Sequence, residues 1–300
     1  MSLRAEELLG EAGPLVGALD GFELRGEQLD MTRAVQRALD DGSHLMVEAG
    51  TGVGKTFAYL IPAMIHAARG GPAVVISTHT IALQEQLIHK DIPFLQKVLP
   101  IDVSAVLLKG RNNYLSIRRL TGTSLKQEDL FSAGKERNEL WRIEDWAYKT
   151  QEGSLSEFSP EPDSKIWSRV RSDHGNCMGR RCATFDKCFY FKSRRKAEKA
   201  QILVVNHALL FADLALRERG VQMLPPYETV IIDEAHTIEQ VAAEHFGAAV
   251  SETQIARLLN ELHAGKKKRG LLSAFGGLHL VPSVDACKQD SKSFFQSLRQ

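Results

Sequence analysis

Two short stretches carry residue types able to do phosphate chemistry. In Ala49-Gly50-Thr51-Gly52-Val53-Gly54-Lys55-Thr56, three glycines lead into a Lys-Thr pair. Such glycines let successive backbone N–H groups curl around an anion, and a helix opening at this point adds the partial positive charge of its N-terminus. Lys55 is then placed to reach the β- and γ-phosphates of a nucleoside triphosphate such as ATP, and Thr56 to ligate Mg²⁺. The strict pattern begins with glycine where this chain has Ala49, a change the backbone chemistry tolerates if the turn accepts a Cβ. The second stretch, Asp233-Glu234-Ala235-His236, closes an apolar run. Asp233 would hold Mg²⁺ through water, and Glu234 would orient and deprotonate the attacking water. His236 could link the nucleotide state to neighbouring motifs. Alone, this tetrapeptide could be only a capped helix start; paired with the phosphate loop it is far more specific.

A third cluster is of another kind. Cys177, Cys182 and Cys188 fall within twelve residues, with Cys287 far away. In a reducing compartment such spacing suggests a soft metal centre rather than disulfides. The residues themselves leave three readings open: an iron–sulfur cluster, zinc held by three thiolates and His174, or a metal-free site. Cys287 reads as a buried free thiol. Lys192, Arg194, Arg195, Lys196 and Lys199 follow on a predicted helix, where a charge run is most often a solvated face. Lys266-Lys267-Lys268-Arg269 reads as a basic loop, and Trp141, Trp146 and Trp167 as packing residues before base-stacking ones.

These groups need elements to hold them. Gln28 to Leu39 has apolar residues near helical spacing. His44 to Glu48 reads as a short buried strand, followed by the glycines and an apolar helix from Thr56 to Ala68. Ala73–Ile76 and Ser104–Leu108 read as strands around a helix over Ile81–His89. That alternation predicts an α/β fold, a parallel sheet with crossover helices. It stops at residues 112–200, which are polar, aromatic-bearing and cysteine-containing, and read as an inserted module. Ile202–Val205 and Thr229–Asp233 resume the sheet as buried strands, and helical segments follow from about residue 245.

Composition bounds the class without naming it. The 300 residues suit about two domains, and 43% apolar with 25% charged content is ordinary for a globular protein. A net charge of +1 gives no bulk signature of a nucleic-acid binder. No apolar run approaches the roughly 20 residues that span a bilayer, and Met1–Gly10 lacks the apolar core of a signal peptide. The expectation is a cytoplasmic protein without a membrane partner.

With these motifs in order, the chain from about Phe22 to His245 resembles the superfamily-two iron–sulfur DNA helicases of the DinG and XPD type. Arg25, Gln28 and Met31 match the adenine-recognising segment of that family. Ser77-Thr78-His79-Thr80 with Leu83-Gln84-Glu85-Gln86-Leu87 matches its first strand-contacting motif. Lys109-Gly110-Arg111-Asn112-Asn113-Tyr114-Leu115 matches the lead into its iron–sulfur domain, and Val205-Asn206-His207-Ala208-Leu209-Leu210 completes the set. The resemblance implies a RecA-like domain over 1–111 and 201–245, an iron–sulfur module over 112–200, and the start of a helical arch over 246–300. A second RecA-like domain, with its arginine for the transferred phosphate, is not expected within these residues, nor is an exonuclease domain ahead of Gln28.

The resemblance further implies ATP-driven translocation on single-stranded DNA and unwinding of forked duplexes with 5′-to-3′ polarity, by a monomer. A phosphate-loop ATPase or a nucleic-acid-binding module without unwinding activity is the alternative. It also implies a [4Fe–4S] cluster on four cysteines, the first directly after a segment like Asn113-Tyr114-Leu115. Here that position is Ser116. The cluster is then expected on Cys177, Cys182 and Cys188, with Ser116 or another group as fourth ligand. The basic run after Cys188 becomes a strand-tracking surface.

Overall fold

Ala73–Thr78, rich in β-branched residues, is the strand about which the sheet is built. In the computed structural model, which describes residues 3–298 except 20, 51, 128–133, 218, 248–249, 264–270 and 275, this β1 is flanked on both sides. The sheet comprises β1, β2 (Ala105–Leu107), β3 (Ile202–Asn206) and β4 (Tyr227–Ile232) in the order β2-β3-β1-β4. All pairings are parallel, with Val75 opposite Leu203 on one side and Val230 on the other. The expected parallel α/β sheet is present.

The helices in chain order are α1 (Ala5–Leu9), α2 (Gly26–Asp41), α3 (Lys55–Ala68), α4 (Ile81–Gln86), α5 (Ile92–Val98), α6 (Ile117–Leu125), α7 (Gly134–Ala147), α8 (Ser164–Val170), α9 (Phe189–Ala197), α10 (His207–Arg217), α11 (Ile238–Phe246), α12 (Glu252–Leu262), α13 (Leu271–Ala274) and α14 (Val281–Ser297). The helix expected over Ile81–His89 continues through a wide turn at Leu87–Asp91 into α5. No helix among the described residues is long and apolar enough to cross a membrane.

Strand alternation distributes β1 and β3 between two cores. Val74, Ile76, Ile202 and Val204 face α1, α2, α3 and α5. Val75, Leu203 and Val205 face the other way, onto Leu108, Leu209, Leu210 and Leu224. Each such side chain contributes about 1.5–3 kcal/mol when fully buried. Residues 114–191 build a third core of their own around Leu115, Leu140, Ile143, Trp167, Val170 and Phe189. Trp146 packs there against Phe158 at 5.1 Å and Trp167 at 6.4 Å, so two of the three tryptophans take the packing role expected of all three. Trp141 is half exposed.

The chain forms two compact units, residues 1–245 and 246–300. In the second unit α12 opens with a capping box, Ser251 accepting from Gln254 N while the Gln254 side chain accepts from Ser251 N. Cys287, on α14, is exposed rather than buried as expected. The basic stretch 266–269 lies outside the described residues.

Two strand expectations need correction. His44–Glu48 is irregular and exposed, with Met46 96% accessible. A strand is stabilised by partners for its backbone N–H and C=O groups, and no described strand pairs with this segment. Nor is β4 buried on both faces. It is an edge strand, paired only with β1 among the described residues, and its residues alternate between half-buried and exposed.

Candidate functional site

The phosphate loop leads into α3 as its motif requires. Gly52 and Gly54 sit at φ 81° and 83°, in left-handed backbone that favours glycine. Two expected nucleotide-recognising residues close over this loop. Gln28, nearly fully buried on α2, donates through Nε2 to the Gly54 carbonyl at 3.0 Å, and Arg25 Nη1 donates to the Gly52 carbonyl. A Cβ at Gly54 would meet the Gln28 amide at 2.2 Å, so this approach also requires glycine. Arg25 and Gln28 thus hold the loop itself. Ala49, Gly50 and Val53 belong to the same irregular turn, while Thr51 lies outside the described residues.

Lys55 and Thr56 form the first turn of α3, both half-buried. One turn on, Tyr59 lies on the same face as Lys55, four residues being neighbours on a helix. The Tyr59 hydroxyl donates to Asp233 Oδ2 at 3.0 Å. Burial, followed by the Asp233 charge and this hydrogen bond, pushes the phenol well above its ordinary value, so it stays a donor at neutral pH. This contact joins α3, the helix that Lys55 opens, to the Asp233 turn across 174 positions, and nothing in the motif pattern signalled Tyr59.

At the other end of that contact, β4 ends and the chain turns sharply. Asp233 N donates to the Ser77 carbonyl at 2.9 Å, and Asp233 Oδ1 accepts from Glu234 N at 3.0 Å. Glu234 has φ 55°, the sole non-glycine residue among those described in left-handed backbone. Such a conformation costs on the order of 1–3 kcal/mol and clusters at functional sites. Each carboxylate oxygen of Asp233 accepts one hydrogen bond and keeps lone-pair capacity, which leaves room for the Mg²⁺ contact expected of it. His236 Nδ1 stands 3.5 Å from Glu234 Oε2 but is largely exposed.

Sequence reasoning also missed a buried cation. Lys109 follows β2, and its side chain is 4% exposed. Its Nζ donates to Glu85 Oε1 at 2.5 Å, Ser154 Oγ at 2.9 Å and Ser156 Oγ at 2.6 Å. Burial alone would raise the Glu85 carboxyl; hydrogen bonds from Lys109 and Ser156, with the charges of Lys109 and His89, outweigh it and hold the group below its usual value. The cluster ties Glu85, on α4, to the module that contains Ser154 and Ser156.

Cys177, Cys182, Cys188 and Ser116 line one pocket, with Arg118, Asn176 and Phe191. Cys177 is exposed and the other two are half-buried, all as free thiols. A hydrogen bond from Thr184 is the main cause holding the Cys182 thiol below its ordinary value. Ser116 is the N-cap of α6, its Oγ accepting from Arg119 N at 3.4 Å. His174 is exposed and does not line this pocket. Among the described residues no group of three or more His, Cys, Asp or Glu is arranged to hold a single metal ion. On α9, Arg194 turns inward, donating to the Met223 carbonyl and lying 5.1 Å from the Tyr190 ring centre. Arg195, Lys192, Lys196 and Lys199 remain at least partly exposed.

Residues 90–255, more than half of the chain, match the family model described as DEAD_2, and residues 30–137 match that of the DEAD/DEAH box helicase. The chain belongs to the DEAD_2 family. It is 38% identical over 252 residues to the ATP-dependent DNA helicase YoaA of Escherichia coli, covering 83% of this chain and 39% of that protein. To the ATP-dependent helicase DinG of Mycobacterium tuberculosis it is 36% identical over 283 residues, 87% of this chain and 42% of the relative. A Bacillus subtilis protein named 3′-5′ exonuclease DinG is 31% identical over 264 residues, covering 88% and 28% of the two chains. The chain thus spans about two fifths or less of these relatives. The two family matches together take in both phosphate motifs, Lys55 in the DEAD/DEAH box match and Asp233 in the DEAD_2 match.

Proposed function

We propose that this chain carries the nucleotide-binding domain of an ATP-dependent DNA helicase, coupling ATP hydrolysis to movement along single-stranded DNA and to unwinding of forked duplexes in the 5′-to-3′ direction, as a cytoplasmic monomer. The observation that supports the reading is the hydrogen bond from Tyr59 to Asp233, which joins the helix opened by Lys55 to the turn that carries the second motif. The loop amides and Lys55 bind and orient the phosphates. Thr56 and Asp233 would hold Mg²⁺, which neutralises charge developing on the transferred phosphoryl group. Glu234 accepts a proton from the attacking water, and His236 lies beside it to sense the outcome. The test is ATP turnover with and without single-stranded DNA, alongside displacement of a forked duplex. Strong stimulation by the strand and displacement from a 5′ tail are expected; turnover indifferent to DNA would leave an ATPase of another kind.

We further propose that residues 112–200 form an iron–sulfur module and 246–300 the beginning of an arch-like helical domain. The donor set supports the first statement: three thiols meet Ser116 in one pocket, and thiolates are the ligands of such clusters. Cys177, Cys182 and Cys188 would hold a [4Fe–4S] cluster, with Ser116, which lines the same pocket, as the candidate fourth ligand. Zinc on the three thiolates and His174 is less well supported, because His174 stands outside the pocket. Iron and labile sulfide in anaerobically purified protein are expected; stoichiometric zinc without sulfide would overturn this assignment.

A further inference from the structure

At the sheet edge opposite β4, a short stretch of backbone is left open. Among the described residues β2 pairs only with β3. Ile202 N donates to the Ser104 carbonyl at 2.9 Å, and Leu108 N donates to the Val204 carbonyl at 2.9 Å. Alternate residues of a strand direct their backbone groups to the same neighbour, so Ser104, Val106 and Leu108 serve β3 while Ala105 and Leu107 turn theirs outward. Both ends of this outer row are closed: Gln96 Nε2 donates to the Val103 carbonyl at 2.7 Å, and Lys109 N donates to the Tyr114 hydroxyl oxygen at 3.3 Å. Between them the N–H and C=O groups of Ala105 and Leu107 have no hydrogen-bond partner among the described residues. Such a row is a template for another strand.

The surroundings of the open edge select its partner. All three residues of β2 line a pocket with Ile88, Phe189 and two lysines of α9, Lys192 and Lys196. Both lysines are exposed, so solvent reaches the pocket. Lys192 Nζ donates to the Gln151 carbonyl at 3.3 Å. The two lysines stand one helical turn apart, about 6 Å along the axis, close to the roughly 6.6 Å between alternate residues of an extended chain. Ile88 packs with the core on one face of the sheet and Ala197, at the end of α9, with the core on the other. An added strand therefore meets an apolar neighbour on one face and a cationic helix on the other. Lysines beside an edge repel a second cationic edge and attract an acidic chain. A nucleic-acid strand would suit the lysines but not the edge. Phosphate oxygens accept hydrogen bonds, so the Ala105 and Leu107 carbonyls would face them unpaired, and the exposed Glu152 lines the same pocket. His89 lines it too, 2.8 Å from Glu85.

We propose that the outer edge of β2 is a docking site for an extended acidic segment of a partner protein. The segment adds a strand through the N–H and C=O groups of Ala105 and Leu107, rests apolar side chains on Ile88, and sets alternate carboxylates against Lys192 and Lys196. Main-chain hydrogen bonds supply the affinity of such strand addition, and the alternating side chains supply its selectivity. The site shares no residue with the nucleotide site or the cysteine pocket, and it does not depend on the helicase reading.

The experiment measures fluorescence anisotropy of an end-blocked, labelled peptide of alternating Asp and Val, titrated with the protein at its full native length. It is repeated with the peptide N-methylated on every Asp or on every Val, with a peptide of alternating Lys and Val, and with two variants, Ala105→Pro and the double change Lys192→Glu, Lys196→Glu. Proline is accepted on an edge strand where the N–H faces outward, so Ala105→Pro removes one docking donor and leaves the ladder to β3 intact. Saturable binding of the acidic peptide is expected, with none of the Lys peptide. Ala105→Pro, and at least one of the two N-methylated forms, should weaken it about tenfold, as lost main-chain hydrogen bonds would. The charge-reversed protein should weaken it by about tenfold or more. No saturable binding of the acidic peptide overturns the proposal. Undiminished binding of both N-methylated forms reduces the attraction to charge alone and overturns it too. Displacement of the peptide by oligothymidylate, whose own binding falls in the charge-reversed protein but not in Ala105→Pro, assigns the pocket to nucleic acid and overturns it. Dimers in sedimentation that Ala105→Pro abolishes assign the edge to a second copy of the chain, with the same consequence. Should Ala105→Pro fail to fold, the N-methylated peptides decide without any variant.

Discussion

Leu45-Met46-Val47 and Val74-Val75-Ile76 are equally apolar in sequence, yet the first is exposed and irregular while the second is the buried centre of the sheet. The difference is in their neighbours. β1 has β3 and β4 on its two sides and helices over both faces; the segment leading into the phosphate loop pairs with no described strand. An apolar run is therefore a requirement for partners, and the strand forms where partners supply hydrogen bonds and cover. The loop is held in spite of the contrast, because Arg25 and Gln28 on one side and the start of α3 on the other contact it directly.

The largest effect that bears on this contrast is expected at Lys109, whose charge is satisfied only by the cluster beyond β2. Lys109→Ala removes the more buried of the two cations beside Glu85, leaving it with His89 and Ser156, and should cost about 3 kcal/mol in unfolding free energy, measured by denaturant titration. Ile76→Ala, in the centre of β1, should cost about 2–5 kcal/mol. Next is an acid effect. Because the Glu85 carboxyl is held below its ordinary value, its contribution is present above that value and is lost as pH falls through the lowered one. Wild type should therefore lose stability in acid more steeply than Glu85→Gln. Smallest is Met46→Ser, expected within about 0.5 kcal/mol of wild type, as for an exposed position. A cost at Met46 like that at Ile76 would show the segment to be paired and buried.

The sequence made much of this legible, and the misses share a cause. Local patterns placed β1, β3, α2 and α3, because periodicity and glycine chemistry act over a few residues. The motifs marked Lys55, Asp233 and Glu234, whose side chains the chemistry demands. Tyr59, Ser77 and the Lys109–Glu85 pair were not marked as supporting groups, since their roles come from contacts between elements far apart in the chain. Burial of β4 was overestimated for the same reason: which strand ends a sheet is a property of topology, not of the strand. Arg194 looked like its charged neighbours in sequence, but Tyr190 and the Met223 carbonyl turn it inward.

The central claim is that Lys55 and the Asp233–Glu234 turn form one nucleotide site on this chain. Calorimetric titration of the protein with Mg–ATP under non-hydrolysing conditions tests it most directly. One nucleotide bound per chain, with binding lost in Lys55→Ala while thermal unfolding stays unchanged, is the result expected. Binding of equal affinity in wild type and Lys55→Ala would contradict the account.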